Sequence, residues 1–485
     1  MKHSVIAAAL CIAGSSCVHS PPSINGVPSA PASPSTLWSP PTSVVSEAAR
    51  DASHLAPSPA AARQLTLSEV VDLALRNSPA TRLSWAQARA AADAYGSTGG
   101  RLYPTLSAGL SVNHSLSLAT PGRPPIERSQ YGPSLTLAYT VLDFGGRSGS
   151  IDVTRQTAIA LDLSHNAMVE NTILLVEAAA FDYLSTRAQR DAQKASMDLA
   201  TAALDAASER HRVGLATIAD VLQAQTARSQ AELQLETLEG ALQVARGSLA
   251  VAMGVPANSA YDIPEVPAGD SVHFIAESVD SLIELAVRNR PELASARAQA
   301  AAASSQIRVA RSGYLPALAI GATGASNGSN VSTFSGRTYS VNVGVQMPVF
   351  TGFSNQYDVA AAAEQYQAAL ARAETTRQQI IQQVFTAYYT LRTATNRVRT
   401  AADLLASATQ SETVARERYR EGVGSIVDLL VAQSALANAR AQSVDARWQW
   451  RTALAQLAHD VGVLNARDDT TFSPLTPLPD IRPSR

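Results

Sequence analysis

The chain carries one set of sequence motifs twice. The segment at residues 71–79, VDLALRNSP, returns at 283–291 as IELAVRNRP. The segment at 209–225, ERHRVGLATIADVLQAQ, returns at 417–433 as ERYREGVGSIVDLLVAQ. A chain of 485 residues suggests about three domains on length alone. The duplication instead predicts one structural solution used twice, because both halves carry the same elements in the same order.

Changes in composition divide the chain further. A basic residue, Lys2, followed by a short apolar run predicts a secretory signal that is too short to span a bilayer. Two other segments are rich in Pro, Ser and Ala without a sustained period, which is typical of extended linkers. We therefore predict a signal peptide at 1–16, an extended lipid-anchored tether at 17–63, a first structural repeat at 64–260, a second at 261–464 and a Pro-rich tail at 465–485.

Both cysteines, Cys11 and Cys17, lie at the start of the chain, so no disulfide is expected in the mature fold. Small residues directly before Cys17 resemble a bacterial lipoprotein processing box, although Gly14 stands where that box usually has Leu. Lipidation of Cys17 is the expectation, and an ordinary signal peptide cut nearby is the alternative. Val18 is not the aspartate that resembles an inner-membrane retention signal, so outer-membrane sorting would follow.

The charge balance excludes one class of partner. The 38 basic and 40 acidic residues leave a formal net charge of -2, too weak a field to attract nucleic acid. Aromatic residues make up only 5% of the chain and alanine is abundant, which favours long, closely packed helices over one large globular core.

Two segments are too long for the helices of a globular domain. Residues 151–212 and 354–421 contain neither Gly nor Pro, and as helices they would be roughly 90 Å and 100 Å long. Apolar residues recur in them at helical spacing among charged ones, so the pattern predicts amphipathic rods rather than membrane spans. Each rod meets a Gly-containing turn and a second helical pattern follows, which predicts two long antiparallel hairpins.

Two strands with alternating polarity precede each rod. The first pair lies at 105–118 and 131–142, and the second at 339–349 with a weaker strand around 318–325. One face of the strands is mostly aliphatic and carries Tyr131, Tyr139 and Tyr339, and the other consists mostly of small polar residues.

The alternation allows two structures. In a soluble sandwich the aliphatic face would be the core, but isolated strand pairs are marginally stable. In a membrane barrel the aliphatic face would contact lipid and the polar face would line water. Such barrels need about eight strands, so four strands in each chain predict closure by more than one subunit.

These features together resemble the TolC-like outer-membrane channels of efflux pumps and type I secretion systems. The doubled turn motif and the strand-to-helix joints at 142–147 and 349–353 carry the resemblance, which covers about residues 64 to 464. It implies an α+β membrane protein in which each chain gives four transmembrane strands and long antiparallel helical hairpins. It also implies a homotrimer whose 12-stranded β-barrel, in the outer membrane of a Gram-negative bacterium, continues into a periplasmic α-helical barrel.

The resemblance also implies roles for the turns. A periplasmic adaptor would dock there, and an inner-membrane transporter would supply the energy for passive export through this chain. The implied adaptor contacts are Val213, Gly214, Leu215, Ala216, Gly422, Val423 and Gly424. Without the family, these glycines need only let the backbone reverse between helices.

A periplasmic gate is implied at Asp428, Tyr419 and Asp220, with Tyr419 hydrogen-bonded to Asp220 and three copies of Asp428 forming a ring. A ring of carboxylates favours cations. The simpler reading is that both aspartates belong to helix-capping boxes. Gly424 and Val431 stand where some family members have an arginine and a second aspartate, which predicts fewer polar links and a weaker cation preference.

The sequence offers no catalytic site. The eight histidines are scattered without metal-ligand spacing, and Gly145-Gly146-Arg147 lacks the continuation of a phosphate-binding loop. We therefore expect no enzyme activity, no cofactor and no metal. The rival hypothesis is a periplasmic lipoprotein spacer with coiled hairpins, which would account for the rods and Cys17 but not for the four strands.

Overall fold

The computed structural model describes residues 23–24, 27–28, 63–118, 125–264 and 278–464. The chain divides into two compact units. The first, residues 1–61 with 258–260, contains the antiparallel pair β1 (Ser23–Ile24) and β2 (Val27–Pro28). The predicted signal peptide, Cys17 and the C-terminal tail lie outside the described residues, as does nearly all of the predicted tether.

The second unit, residues 62–257 with 261–485, runs twice through the same order of elements. The first pass consists of β3 (Arg63–Gln64), α1 (Leu67–Asn77), α2 (Pro79–Gly99), β4 (Thr105–Ser117), β5 (Ile126–Leu142), α3 (Gly146–Arg212) and α4 (Ile218–Ala252). The second consists of β6 (Tyr261–Asp262), α5 (Val279–Asn289), α6 (Pro291–Ser312), β7 (Ala317–Ser329), β8 (Gly336–Gln346), α7 (Ser354–Arg420) and α8 (Ile426–Val461). The short strands β3 and β6 pair in parallel, which joins the beginnings of the two passes.

The long helices α3 and α7 have the same length, 67 residues each, or about 100 Å. Helix α3 begins five positions before the predicted start at 151. The Asp143 carboxylate explains this, because its Oδ2 accepts from the backbone N–H of Arg147 at 2.7 Å and from Arg147 Nε at 3.2 Å. That contact satisfies a free amide in the first turn and lets the helix include its two glycines.

Helix α8 shows how the hairpins pack. Its buried residues recur at steps of three and four, the spacing of a coiled-coil seam. Many are alanines, so neighbouring backbones approach closely. The buried apolar residues are Ile426, Leu429, Ala432, Leu436, Ala439, Ala446, Trp450, Ala453, Leu457 and Val461. The α7–α8 and α3–α4 pairs form the predicted antiparallel hairpins.

The four long strands form one antiparallel sheet in the order β4-β5-β7-β8. Pairing of β5 with β7, for example Leu137 opposite Ala322, joins the two halves of the chain. The strands differ from the predicted bounds: β4 ends one residue earlier, β5 begins earlier, β7 is longer at both ends, and β8 begins earlier and ends before Met347 and Val349. Inter-strand pairing sets these limits, and hydrophobic alternation does not report it.

Small residues in the sheet allow close approach of β5 and β7. A Cβ atom at Gly132 would lie 1.9 Å from the carbonyl oxygen of Ser326. On the opposite face, the Tyr131 ring covers Gly328, where a Cβ would lie 2.6 Å from a ring carbon. Neither glycine position has room for a side chain.

A buried arginine links several helices of the second repeat. Arg290 links α5 to α6, and only 5% of its side chain is exposed. Its guanidinium donates to both Glu292 oxygens at 2.9 and 3.0 Å, and to Gln383 Oε1 at 3.2 Å. It also donates to Asp460 Oδ1 at 3.4 Å and to the His459 carbonyl at 3.3 Å. This cluster connects the α5–α6 joint to α7 and to the end of α8.

Two carboxyl groups of α3 lie in partly buried positions. Burial, together with the nearby Glu292 carboxylate, raises the pKa of Glu170 to about 7, against the opposing effects of His459 and Arg290. Burial alone raises the pKa of Glu177 to about 7. Among the described helices, none has an apolar stretch long enough to cross a membrane.

Candidate gate and docking surface at the hairpin turns

Both hairpins reverse through the same backbone motif. Gly214 and Gly422 lie just after α3 and α7 with φ of 79° and 80°, which favours glycine. The next residue then bonds back into the helix, with Leu215 N–H donating to the Arg210 carbonyl at 2.7 Å and Val423 N–H donating to the Arg418 carbonyl at 2.9 Å. This is the Schellman arrangement, which satisfies carbonyls that a helix end leaves free.

Each returning helix begins with a capping box. Thr217 Oγ1 accepts from Asp220 N–H at 3.3 Å, and Asp220 Oδ2 accepts from Thr217 N–H at 2.8 Å. Ser425 and Asp428 repeat the pair at 3.1 and 3.3 Å. The hydrogen bonds from Ser425 lower the pKa of Asp428 below its usual range, so this carboxylate is charged at neutral pH. The predicted capping role of both aspartates is thus present.

The predicted docking residues form the exposed ends of the hairpins. Leu215 is 70% exposed and Val423 is 69% exposed, and Val213 is also exposed. Apolar side chains exposed on neighbouring residues are typical of surfaces that contact another protein. Gly214 and Gly422 lie open beside them, whereas Ala216 and Gly424 are half-buried.

The three predicted gate residues have different environments. Tyr419 is 5% exposed and packs in an apolar cluster with Ala203, Ala207, Ala224, Ile426 and Leu429. Asp220 is half-buried, and Asp428 is exposed. The Tyr419 hydroxyl has no hydrogen-bond partner among the described residues, so the implied hydrogen bond to Asp220 is not formed in this protomer. The Asp220 carboxylate instead bonds within its own turn.

Arg210 is a further residue of this site that was not predicted from the sequence. Its guanidinium contacts the turn of the other hairpin at Tyr419. The only available signal was that the doubled motif places an arginine directly before both His211 and Tyr419. No sequence period indicates which of the two arginines reaches across.

The described residues contain no cluster of His, Cys, Asp and Glu side chains able to hold a metal ion. The turns present the charged carboxylate of Asp428 and exposed apolar side chains.

Comparison with known proteins decides the family. The family model for "Outer membrane efflux protein" matches residues 70–255 and 282–463, one match in each repeat. This chain belongs to the outer membrane efflux protein family. The TolC-like resemblance is thereby confirmed, and with it the predicted function as an outer-membrane channel component and the predicted location in the outer membrane. The family is one of transport channels, not of enzymes.

Curated relatives match most of this outer membrane efflux protein. Protein CyaE of Bordetella pertussis is 29% identical over 399 residues, covering 81% of this chain and 83% of that protein. Outer membrane protein TolC of Vibrio cholerae is 25% identical over 417 residues, covering 83% of this chain and 92% of that one.

The fold agrees with solved structures. A membrane protein from Pseudomonas aeruginosa matches with a TM-score of 0.74 at 22% identity, covering 82% of this chain and 93% of that one. The predicted fold class, an α+β membrane protein with four strands and long antiparallel helical hairpins, is confirmed.

Proposed function

We propose that three copies of this chain form the exit duct of a tripartite efflux pump or type I secretion system. The three sheets would close a 12-stranded barrel in the outer membrane, and the hairpins would form a helical tunnel in the periplasm. The four-stranded sheet supports this, because β4 and β8 are its edges and about eight strands are the minimum for closure.

The observation that carries this proposal is the exposed aliphatic face of the sheet. Leu110 is 80% exposed and Tyr339 is 91% exposed, and the same face continues along β4 and β8. An apolar surface of this extent is unstable in water but suits contact with lipid. The opposite face carries mostly Ser, Thr, Gly and Asn, which suits a water-filled lumen. Its residues include Ser107, Ser111, Ser134, Thr136, Thr323, Ser340 and Asn342.

The hairpin turns would receive the partners. A periplasmic adaptor would pack on the exposed apolar side chains at 213–216 and 422–424. An inner-membrane transporter would supply the energy, because this chain has no nucleotide-binding motif of its own. The passage would be passive.

The same turns would contain the gate. Asp428 is exposed and charged, so three copies around an axis would form a carboxylate ring that favours cations. Tyr419 and Asp220 would set the position of the second turn against the first. Acylation of Cys17 would add a lipid anchor to the barrel.

Single-channel recording in a planar bilayer tests the channel. Wild-type protein should give discrete, low, cation-preferring conductance. Asp428→Ala should raise that conductance and reduce the cation preference, because it removes the carboxylate ring. Asp72→Ala, which removes an exposed carboxylate of α1, is the matched control and should behave as wild type.

Other results would revise the proposal in defined ways. Conductance that Asp428→Ala leaves unchanged would keep the channel and reduce Asp428 to a helix cap. Folded protein that never inserts would refute the barrel. A carbonate wash separates the rival spacer: a barrel stays with the membrane after Cys17→Ala, whereas a lipid-anchored spacer is released.

A further inference from the structure

One side chain of the first hairpin holds the turn of the second. Arg210 lies in the last turn of α3, and Tyr419 lies in the last turn of α7. Arg210 Nη1 donates to the Tyr419 carbonyl oxygen at 2.6 Å. The same guanidinium lies over the Tyr419 ring, 4.9 Å from its centroid. The two hairpins are therefore joined at their turns by a charge-assisted hydrogen bond and a cation–π contact.

The position of the acceptor strengthens the hydrogen bond. The Tyr419 carbonyl is at the C-terminal end of a 67-residue helix, where the helix dipole concentrates partial negative charge. It also accepts from the Gly422 N–H at 3.1 Å, the bond that begins the turn. A cation bound there stabilises the helix end and the turn together.

The surroundings of the ring strengthen the second contact. The Tyr419 ring packs in a cluster that takes side chains from α3, α4, α7 and α8. Arg210 is half-buried, so water competes weakly for its guanidinium. Burial raises the pKa of Tyr419, with Asp220 adding to this rise and Arg210 opposing it, so the phenol stays neutral. The arginine thus meets a neutral ring and a backbone carbonyl.

The contact is made in one direction only. In the doubled motif, Arg418 corresponds to Arg210 and His211 to Tyr419. Within the described residues, Arg418 makes no matching contact to His211. Instead, His211 Nδ1 lies 2.9 Å from the Ala216 carbonyl of its own turn. The first turn is closed by its own residues, whereas the second turn also receives Arg210 from its neighbour.

We propose that Arg210 is a positioning residue that latches the second turn to the first and so holds the gate in its resting position. Any movement of the second turn away from the first breaks both contacts of Arg210 at once. The latch acts through the Tyr419 backbone and ring, not through its hydroxyl. This inference rests on the proposed channel function and names the residue that regulates it.

Single-channel recording of Arg210→Met tests the latch. Methionine keeps the aliphatic volume but removes the hydrogen bond and the charge, so the open probability should rise about tenfold above wild type. Arg210→Lys keeps the charge but loses the planar guanidinium, so its open probability should lie between those of wild type and Arg210→Met. Arg420→Met, which removes an exposed arginine at the end of α7, is the control and should match wild type.

Gating is read separately from folding. A purely structural role would reduce the number of channels that insert without changing the open probability of each, whereas the latch predicts the reverse. Wild-type-like open probability in both Arg210 variants would overturn the latch while leaving the channel intact. Should Arg210→Met not fold, Arg210→Lys alone decides. Absence of current from folded wild-type protein would instead count against the channel itself.

Discussion

The two helical hairpins share one backbone plan but differ in the residues that complete it. Each has a 67-residue helix, a Schellman turn and a capping box. At the end of the first, His211 is exposed and bonds to its own turn. At the equivalent position of the second, Tyr419 is buried and held by Arg210. The duplicated backbone is therefore kept, and single substitutions give each turn its own environment.

The same comparison holds at the joints between the short helices. In the first repeat Ser78 links α1 to α2, and its hydroxyl accepts from the Thr81 N–H at 3.4 Å. In the second repeat Arg290 takes that place and reaches α7 and α8. A local cap in one repeat has become a long-range link in the other.

Removing Arg290 should have the largest effect on stability. Arg290→Ala leaves the buried Asp460 carboxylate and the partly buried Glu292 carboxylate without their cation. This should lower the free energy of unfolding by about 3–5 kcal/mol. Ser78→Ala removes one cap and should cost only about 1 kcal/mol. Denaturant unfolding followed by circular dichroism measures both. Equal losses for the two variants would show that Arg290 does not hold the joint as a network.

The pH dependence of stability should come from the first repeat. The pKa of Glu170 is raised from 4.5 to about 7, so the folded protein binds this proton more tightly than the unfolded chain. The resulting stability is fully present below about pH 4.5 and is lost as the pH rises through about 7. Glu170→Gln should therefore match wild type at low pH and exceed it at high pH, by roughly 1–2 kcal/mol after allowance for solvent screening.

Thermal unfolding across this pH range tests that difference. The second repeat supplies the control, because the residue equivalent to Glu170 is the exposed Gln378. Gln378→Glu introduces a carboxylate in contact with water and should add no pH dependence near 7. If the stability of Glu170→Gln still falls with pH as in wild type, another group causes the pH dependence. Glu177, whose pKa is also raised to about 7, would then be substituted next.

The smallest expected effects are at the capping boxes, where the hairpins match. Thr217→Ala and Ser425→Ala each remove one hydroxyl acceptor and should destabilise the first turn by about 1 kcal/mol. Hydrogen exchange of the amides of Asp220 and Asp428 should accelerate by about fivefold in each case. Markedly unequal effects would show that the turns differ in their caps as well as at Arg210.

Local chemistry explains what was predictable. The two long helices, the glycine turns and both capping boxes follow from contacts within a few residues, which the sequence contains directly. One error is the start of α3, which lies five residues before the predicted one. The other errors are in the strands, where the start of β5 and the end of β8 were each misplaced. Their ends depend on which backbone groups find partners on neighbouring strands, for example Ser129 N–H on the side chain of Asn330 at 2.8 Å.

The gate and docking residues at the turns also divide into features that were predictable and features that were not. The exposed apolar turns and both aspartates were identified from the doubled motif and its resemblance to a family. The sequence implied a hydrogen bond between Tyr419 and Asp220, but the Tyr419 hydroxyl has no partner among the described residues. The reach of Arg210 was not predicted. A long, flexible side chain has many rotamers, and only the packing of α3 against the second hairpin selects one of them.

The sequence by itself determined the duplication, the rods, the alternating strands and the caps, because periodicity and short-range hydrogen bonding act along the chain. Only the tertiary structure decided that β5 pairs with β7, that Arg290 joins α8 and that Arg210 holds Tyr419. Those contacts join residues far apart in sequence. Their geometry exists only after helices and strands have packed and excluded water from between them.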